Sequence, residues 1–240
     1  NIQWNAVNNI VFIAPLIERD AIEKFAIPKE KSIYIPNAVD TLNFDLPKSA
    51  SSQRTLGLMG MVPKMKRFDR ALDILSIINS QGGNFNLRVK GKMPEDYDWM
   101  KQRQDEMEWY EHQLSRIENE NELSGRVHFD GWGNDVEKWL SNVGYILSVS
   151  DFEGSHQAVA EGVASGAIPI IIKWKGADEV YPRKWCVSTI EKGAEKILSF
   201  SSDTTFEERE MERIKIVNNI RENFDLTIIV EKWLNMMGLN

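Results

Sequence analysis

The chain has 240 residues, 42% of them hydrophobic and with 8 Trp and 10 Phe among them, enough apolar mass for one large domain or a domain with an attached piece. Lys and Arg number 29 against 36 Asp and Glu, a net charge of −7 that argues against a general nucleic-acid surface, so any anion site must be local. The single cysteine, Cys186, excludes an intrachain disulfide and a cysteine-built metal cluster and fits a reducing compartment; no apolar run approaches the roughly 20 residues that span a bilayer, and no signal peptide is visible. The sequence opens at Asn1 rather than Met, which suggests a piece of a longer protein.

In chain order, Ile10–Ala14 reads as a strand, Leu16–Phe25 as a helix and Ser32–Ile35 as a second strand. Pro47–Arg54, "PKSASSQR", has the composition of a linker. A strand over Thr55–Met59, a helix over Phe68–Asn79 and a strand over Asn86–Lys90 follow. The acidic stretch from Pro94 to Leu123 carries Trp99, Arg103, Met107, Tyr110, Leu114 and Ile117 at steps of three or four, which predicts one long amphipathic surface helix over Tyr97–Glu122 that packs rather than reacts. Beyond it come strands over Arg126–Phe129, Gly144–Val149, Ile168–Lys173 and Cys186–Thr189. Helices are predicted over Asp135–Ser141, His156–Ser165, Ile190–Ser199, Glu207–Glu222 and Thr227–Met237. No internal repeat is visible. The expected division is a single domain: an entry segment to about residue 50, a core over about 51–222 and a final helix over about 223–240.

Strands alternating with helices imply parallel β-α-β units and an α/β, doubly wound, Rossmann-like sheet, in which ligands gather at the carboxyl ends of the strands. "DFEGSHQAVAEGVASGAIPIII", from Asp151 to Ile172, sits at such a place. A helix that begins near Ser155 leaves the amides of Ser155, His156 and Gln157 free to meet an anion, and Gly154 allows a tight turn and a close ligand. Glu161 lies about six residues into that helix, roughly 9 Å along the axis, far enough from a bound phosphate to accept hydrogen bonds from a diol instead. Glu153, on the loop, faces whatever hangs from the other end of the phosphates. On spacing alone, two solvated surface glutamates and an ordinary Ser155 cap are the plainer reading of the segment, since two glutamates eight apart are common.

A second stretch, "TLGLMGMVPKMKRFDRALDIL", ends a strand at Gly60 and places Lys64, Lys66 and Arg67 before a helix, where cations oppose the helix dipole and suit a diphosphate. His112 and His128 read as ordinary surface and strand residues. Trp132 of "FDGWG" is either the flank of a base pocket or a packed loop aromatic.

Together "YIPNAVDTLNF", "LGLMGMVPKMKRFDRAL", "RVHFDGW" and "SDFEGSHQAVAEGVASGAIPIII" resemble, in order and interval, the C-terminal, nucleotide-sugar-binding half of retaining GT-B glycosyltransferases of family 4 type, from about Asn9 to the final helix. The resemblance implies that Glu153 and Glu161 are the family's E-x7-E pair, the first at the donor sugar and the second at the nucleotide ribose. It also implies that the loop amides at Ser155, His156 and Gln157 contact sugar and diphosphate, that Gly60 and Gly154 give close approach, and that Lys66 neutralises the leaving diphosphate. Catalysis would fall to Glu153 and Lys66. Where the family carries an arginine after the loop glycine this chain has Met61, and Lys64 or Arg67 are the available replacements, neither at the matching position. His156 would stand near the sugar or in solvent at the helix start.

The implied function is donor binding for transfer of a sugar from a nucleoside diphosphate sugar to an acceptor hydroxyl, with retention, in polysaccharide or glycoconjugate synthesis. It needs no metal or other cofactor, since no Asp-x-Asp cluster stands at a strand end. The implied partners are the nucleoside diphosphate sugar and a glycan or lipid-linked acceptor held by an N-terminal half that this chain lacks, and no nucleic acid. The implied setting is the cytoplasm, with any contact to the inner face of the membrane made through that other half. The alternatives are a non-catalytic nucleotide-sugar-binding module, which Met61 would permit, and another GT-B enzyme such as an epimerase or phosphorylase.

Overall fold

Two parallel sheets carry the chain. In the computed structural model, which describes residues 3–239, β1 (Ile10–Phe12) and β2 (Ser32–Tyr34) pair with each other across the crossover helix α1 (Pro15–Phe25) and stay apart from the main sheet. Asn1, Ile2 and Asn240, the ends assigned to the entry segment and the final helix, lie outside the described residues. The main sheet takes β3 (Thr55–Met59), β4 (Asn86–Lys90), β5 (Val127–Phe129), β6 (Tyr145–Ser148), β7 (Ile168–Ile172) and β8 (Cys186–Val187), all parallel, in the order β5-β4-β3-β6-β7-β8. The expectation of one doubly wound sheet therefore holds for six of the eight strands.

The strands are joined by α2 (Phe68–Ser80), α3 (Gln104–Asn119), α4 (Val136–Leu140), α5 (Gln157–Ala164), the short α6 (Ala177–Val180) and α7 (Ile190–Asp203). α8 (Phe206–Phe224) and α9 (Leu226–Met237) close the chain. α2 packs with α7 and α5 with α8, so helices flank the sheet, and β3, β6 and β7 read as unbroken apolar runs because both their faces are covered. No described helix is long and apolar enough to cross a membrane.

The chain winds outward from β3 to β5 and returns to begin its second half at β6, so the winding reverses between β3 and β6. At that point adjacent connections leave in opposite directions and a crevice opens beyond the carboxyl ends. Gly60 follows β3 and the Asp151–Ser155 loop follows β6, so both stretches singled out in the sequence border that crevice.

Three expectations need correction. The segment Pro47–Arg54 is no loose linker: residues Ala50–Arg54 form a 3-10 turn, and Lys48 Nζ donates to Leu140 O at 2.7 Å, Val143 O at 2.6 Å and Ser165 Oγ at 3.0 Å. The acidic helix is shorter than Tyr97–Glu122, because Pro94–Asp96 makes a 3-10 turn in which the Asp96 carboxylate accepts from Met93 N at 2.9 Å, and turns continue to Arg103. The apolar stripe is also partial: Tyr110 is 1% exposed, whereas Trp99 is 42% exposed and stacks against Arg103.

The small-residue stretch of α5 has a packing cause. A Cβ on Gly162 would meet Ile146 Cβ and Cγ1 at 2.7 Å, so the helix lies on β6 closer than any side chain at this position permits. Replacing Gly162 with Ala therefore lifts α5 from the sheet at a cost of about 1–3 kcal/mol. The expected result is a melting temperature lower by several degrees in thermal denaturation followed by circular dichroism.

Candidate functional site

A cavity of about 580 Å³ opens at the β3/β6 crevice, and its wall contains Gly60, Lys66, Glu153, Gly154, Ser155, His156, Gln157 and Glu161. These eight site candidates thus come together, and Lys64 and Arg67 stay outside. The Lys64 ammonium turns away to lie 5.6 Å from the centre of the Trp109 ring.

The loop after β3 is held from behind by α3. Tyr110 OH donates to Met61 O, and the Glu106 carboxylate accepts from Lys64 N at 2.9 Å while pairing with Arg103 at 2.9 Å. The acidic helix is therefore the prop of this loop. Met61 is 1% exposed and belongs to the core, so it gives the cavity no polar group. Arg67 brings no charge to the cavity either: its guanidinium is spent on Asp69 at 2.8 Å and Asp151 at 2.9 Å. The cations that do line the cavity beside Lys66 are Lys90 and Lys92, on either side of Gly91 at the end of β4. "RVKGK" repeats the pattern of a strand end, a glycine and lysines that marked Gly60, and that signal was available in the sequence.

Lys66 reaches across the crevice and donates to Glu153 Oε1 at 2.7 Å, and Ser150 Oγ donates to the same oxygen at 2.6 Å. Burial pushes the Glu153 carboxyl up, but the pull of His156 and the hydrogen bonds from Lys66 and Ser150 outweigh it, so the group stays ionised below its usual range. Glu161 is in the opposite state. Burial raises its pKa, a hydrogen bond from Gln157 counters only part of this, and it makes no ion pair among the described residues. The two glutamates are thus electrostatically distinct: one is already neutralised, and the other awaits donors.

The start of α5 is held in place by the entry segment and the core. Asn37 Nδ2 donates to Ser155 Oγ at 2.9 Å, Gln157 Nε2 to Ala38 O at 2.7 Å, and Tyr181 OH to Ser155 O at 2.8 Å. The backbone amides of Ser155, His156 and Gln157 make no hydrogen bond among the described residues, which leaves three donors at the helix end beside Gly154. Asn37 was missed in the sequence although it stands in "YIPNAVD"; only the fold brings residue 37 to residue 155.

The His156 ring occupies neither expected place fully. At 7% exposure it is excluded from solvent, and its Nδ1 lies 2.6 Å from Ser148 Oγ at the end of β6. Trp174 Nε1 donates to that hydroxyl oxygen at 3.1 Å, and the other ring nitrogen of His156, Nε2, lies 3.7 Å from Glu153 Oε1. Trp174, Ser148, His156 and Glu153 form one chain of contacts that orients the carboxylate. Trp132 is 69% exposed on the cavity wall, which removes the reading of a packed loop aromatic, while His112 and His128 lie away from the cavity.

No family model and no curated relative matches the chain. Solved structures do. A mutant of S. aureus TarM in complex with fondaparinux, α-GlcNAc-glycerol and UDP has 21% identity and a TM-score of 0.74 over 97% of this chain and 44% of its own. Anabaena HepE in complex with UDP and glucose has 15% identity and a TM-score of 0.77 over 96% and 63%. The pneumococcal O-GlcNAc transferase GtfA in complex with UDP and GlcNAc has 16% and 0.72 over 98% and 46%. The fold is that of GT-B glycosyltransferases. The likeness is consistent with a C-terminal GT-B domain, and the chain spans between 44% and 63% of the length of these three structures.

Burial holds the His156 pKa down to about 4, with Glu153 opposing and Lys66 adding to the effect. The unfolded chain takes up its proton first as pH falls through 6.5, so stability decreases from about pH 6.5 to about pH 4, by roughly 3 kcal/mol from this residue. Urea denaturation across that range should show a shallower decline in His156→Gln than in the parent.

Proposed function

We propose that the chain is the donor-binding domain of a retaining glycosyltransferase that takes its sugar from a nucleoside diphosphate sugar. The observation that carries this reading is the ionised Glu153, paired with Lys66, and the uncompensated Glu161 on either side of three free amides at the switch point. A diphosphate set on those amides would draw Lys66 toward its oxygens, releasing Glu153 to the sugar beside the reacting carbon. The ribose hydroxyls would donate to Glu161, and Trp132 would flank the base. Lys90 and Lys92 supply the positive charge that Met61 does not. The neighbours with UDP bound support uridine diphosphate as the probe. No metal enters this scheme, so UDP affinity should be the same with and without EDTA.

Neither acceptor nor linkage follows from these groups. Proximity of acceptor to sugar supplies about 7–11 kcal/mol of barrier lowering in such reactions, and we place the groups that provide it in a partner half outside this chain. The 240-residue chain alone is therefore expected to bind UDP and transfer no sugar. Membrane contact and a role in polysaccharide synthesis, where they exist, belong to that longer protein.

Lys66→Ala removes a charge-assisted contact to the diphosphate, a loss of about 1.5–3 kcal/mol, or roughly ten- to a hundredfold in UDP affinity by calorimetry. An affinity within twofold of the parent would take Lys66 out of the site.

The glutamates separate by ligand. Glu161→Gln is expected to weaken UDP itself by about 1.5–3 kcal/mol, because a diol prefers a carboxylate that accepts both hydrogen bonds. Glu153→Gln should leave UDP nearly unchanged and lower turnover of the nucleotide sugar in the full-length enzyme. If both variants match the parent in binding and turnover, the assignment fails; equal losses of UDP affinity would refute only the division of labour.

A further inference from the structure

Three side chains converge on one carboxylate oxygen. Glu153 Oε1 accepts from Lys66 Nζ at 2.7 Å and from Ser150 Oγ at 2.6 Å, and His156 Nε2 lies 3.7 Å from it. The first is a cation and the second a neutral donor; the third is a titratable ring that the donor scheme leaves unused. The Glu153 and His156 side chains are only 11% and 5% exposed, so a charge on either needs a partner at hand.

We infer that His156 is a positioning residue that takes a proton from solvent when a nucleoside diphosphate binds, and that its imidazolium replaces Lys66 as the counter-ion of Glu153. This exchange rests on the proposed donor site, in which the diphosphate draws Lys66 to its own oxygens. Once the ammonium has left, Ser150 is the remaining donor to a buried carboxylate. Either that carboxylate or the ring beside it must then gain a proton. An imidazole is by nature the stronger base, with an ordinary pKa of about 6.5 against about 4.3 for a glutamate. The ring is also placed to carry two N–H donors. Nδ1 lies 2.6 Å from Ser148 Oγ, which accepts from Trp174 and has a second lone pair for the ring, and Nε2 faces Glu153. Turning the 3.7 Å contact into a hydrogen bond requires a side-chain adjustment of about 1 Å or less.

The other groups around the ring offer it no competing partner. Ser148 of β6 and Trp174 beyond β7 carry no charge, and Tyr181, at the end of α6, donates to the backbone oxygens of Ser155 and His156 and is held neutral by burial. Glu161 lies further along α5, and burial favours its neutral form. In the same cavity wall Lys90 is tied to Asp135 at 2.7 Å, and Lys92 lies 5.5 Å from the centre of the Tyr97 ring. In the free chain burial keeps the ring uncharged, with Glu153 favouring its protonation and Lys66 opposing it. A diphosphate on the loop amides both engages the opposing cation and adds negative charge, so ligand binding and ring protonation favour each other. The exchange keeps Glu153 ionised beside the sugar while its ammonium is engaged elsewhere.

The test is a pH titration of the His156 ring by nuclear magnetic resonance, in the ¹³C,¹⁵N-labelled chain with and without saturating UDP, the ring signal being identified by its absence in His156→Gln. UDP binding is followed separately by the amide signals of Ser155 and Gln157. UDP should raise the proton affinity of the ring at least about tenfold, moving its midpoint up from about 4, while the Glu153 carboxyl carbon stays at its ionised position. Lys66→Met should raise the midpoint without ligand, and Glu153→Gln should remove most of the rise that UDP causes. Should either variant fail to fold, the titration of the parent decides alone. Amide signals that move while the ring midpoint does not, or a proton that appears on Glu153 instead, would overturn the exchange and leave the donor site standing. A rise undiminished in Glu153→Gln would overturn it as well. If UDP moves no signal at all, the donor site itself is refuted and the exchange falls with it.

Discussion

The ion pair between Lys66 and Glu153, 2.7 Å long, ties together the two loops that leave the sheet where its winding reverses. Its side chains are only 26% and 11% exposed, so each charge would be costly alone and neither loop is free to lose its partner. The surrounding structure serves this contact. Asp151 N donates to Met65 O at 2.9 Å, and Arg67 and Arg70 hold the Asp151 carboxylate at 2.9 and 2.7 Å, so the loops are laced together on both sides of the pair. In the proposed function an incoming diphosphate would compete with Glu153 for one ammonium, a competition decided at a single side chain rather than by rearrangement of the sheet.

The loop after β3 keeps its shape around an uncharged residue. Met61 is buried and its carbonyl receives Tyr110 OH, so the residue anchors the loop to α3 while contributing no charge to the cavity. Lys64 and Arg67, close in sequence, are drawn off by Trp109 and by two aspartates. Positive charge comes instead from the neighbouring strand. Lys90 is 6% exposed and paired with Asp135 at 2.7 Å, which leaves Lys92 as the more adaptable of the two.

Much of this was legible in the residues because each signal was local. β3 and β4 lie over Thr55–Met59 and Asn86–Lys90 as expected, each run followed by a glycine, and α5 begins one residue after the expected His156. The failures are non-local. Composition marks Pro47–Arg54 as a linker, but composition does not reveal that Lys48 finds three acceptors at the far end of the sheet. A period of three or four residues cannot locate the start of α3, since Met100 is buried by turns that keep the same spacing. Asn37 and the inward face of His156 depend on contacts across more than a hundred residues in one case and on a single strand-end serine in the other.

Strand β6 connects the two polar regions of the molecule, and they solve the problem of buried charge differently. At its carboxyl end, Ser148 begins a chain of contacts: Trp174 donates to the serine hydroxyl, that hydroxyl lies 2.6 Å from His156 Nδ1, and Lys66 and Ser150 both donate to Glu153. Such a network is rigid because no member gains by moving, and it fixes Glu153 before any ligand arrives. At the amino end, Gly144 and Tyr145 border a cavity lined by Lys48, Arg209 and Arg213. The same strand therefore presents a carboxylate held by two donors at one end and, at the other, cations held by a single acid and by backbone carbonyls, Arg213 on Glu210 and Lys48 on Leu140 and Val143.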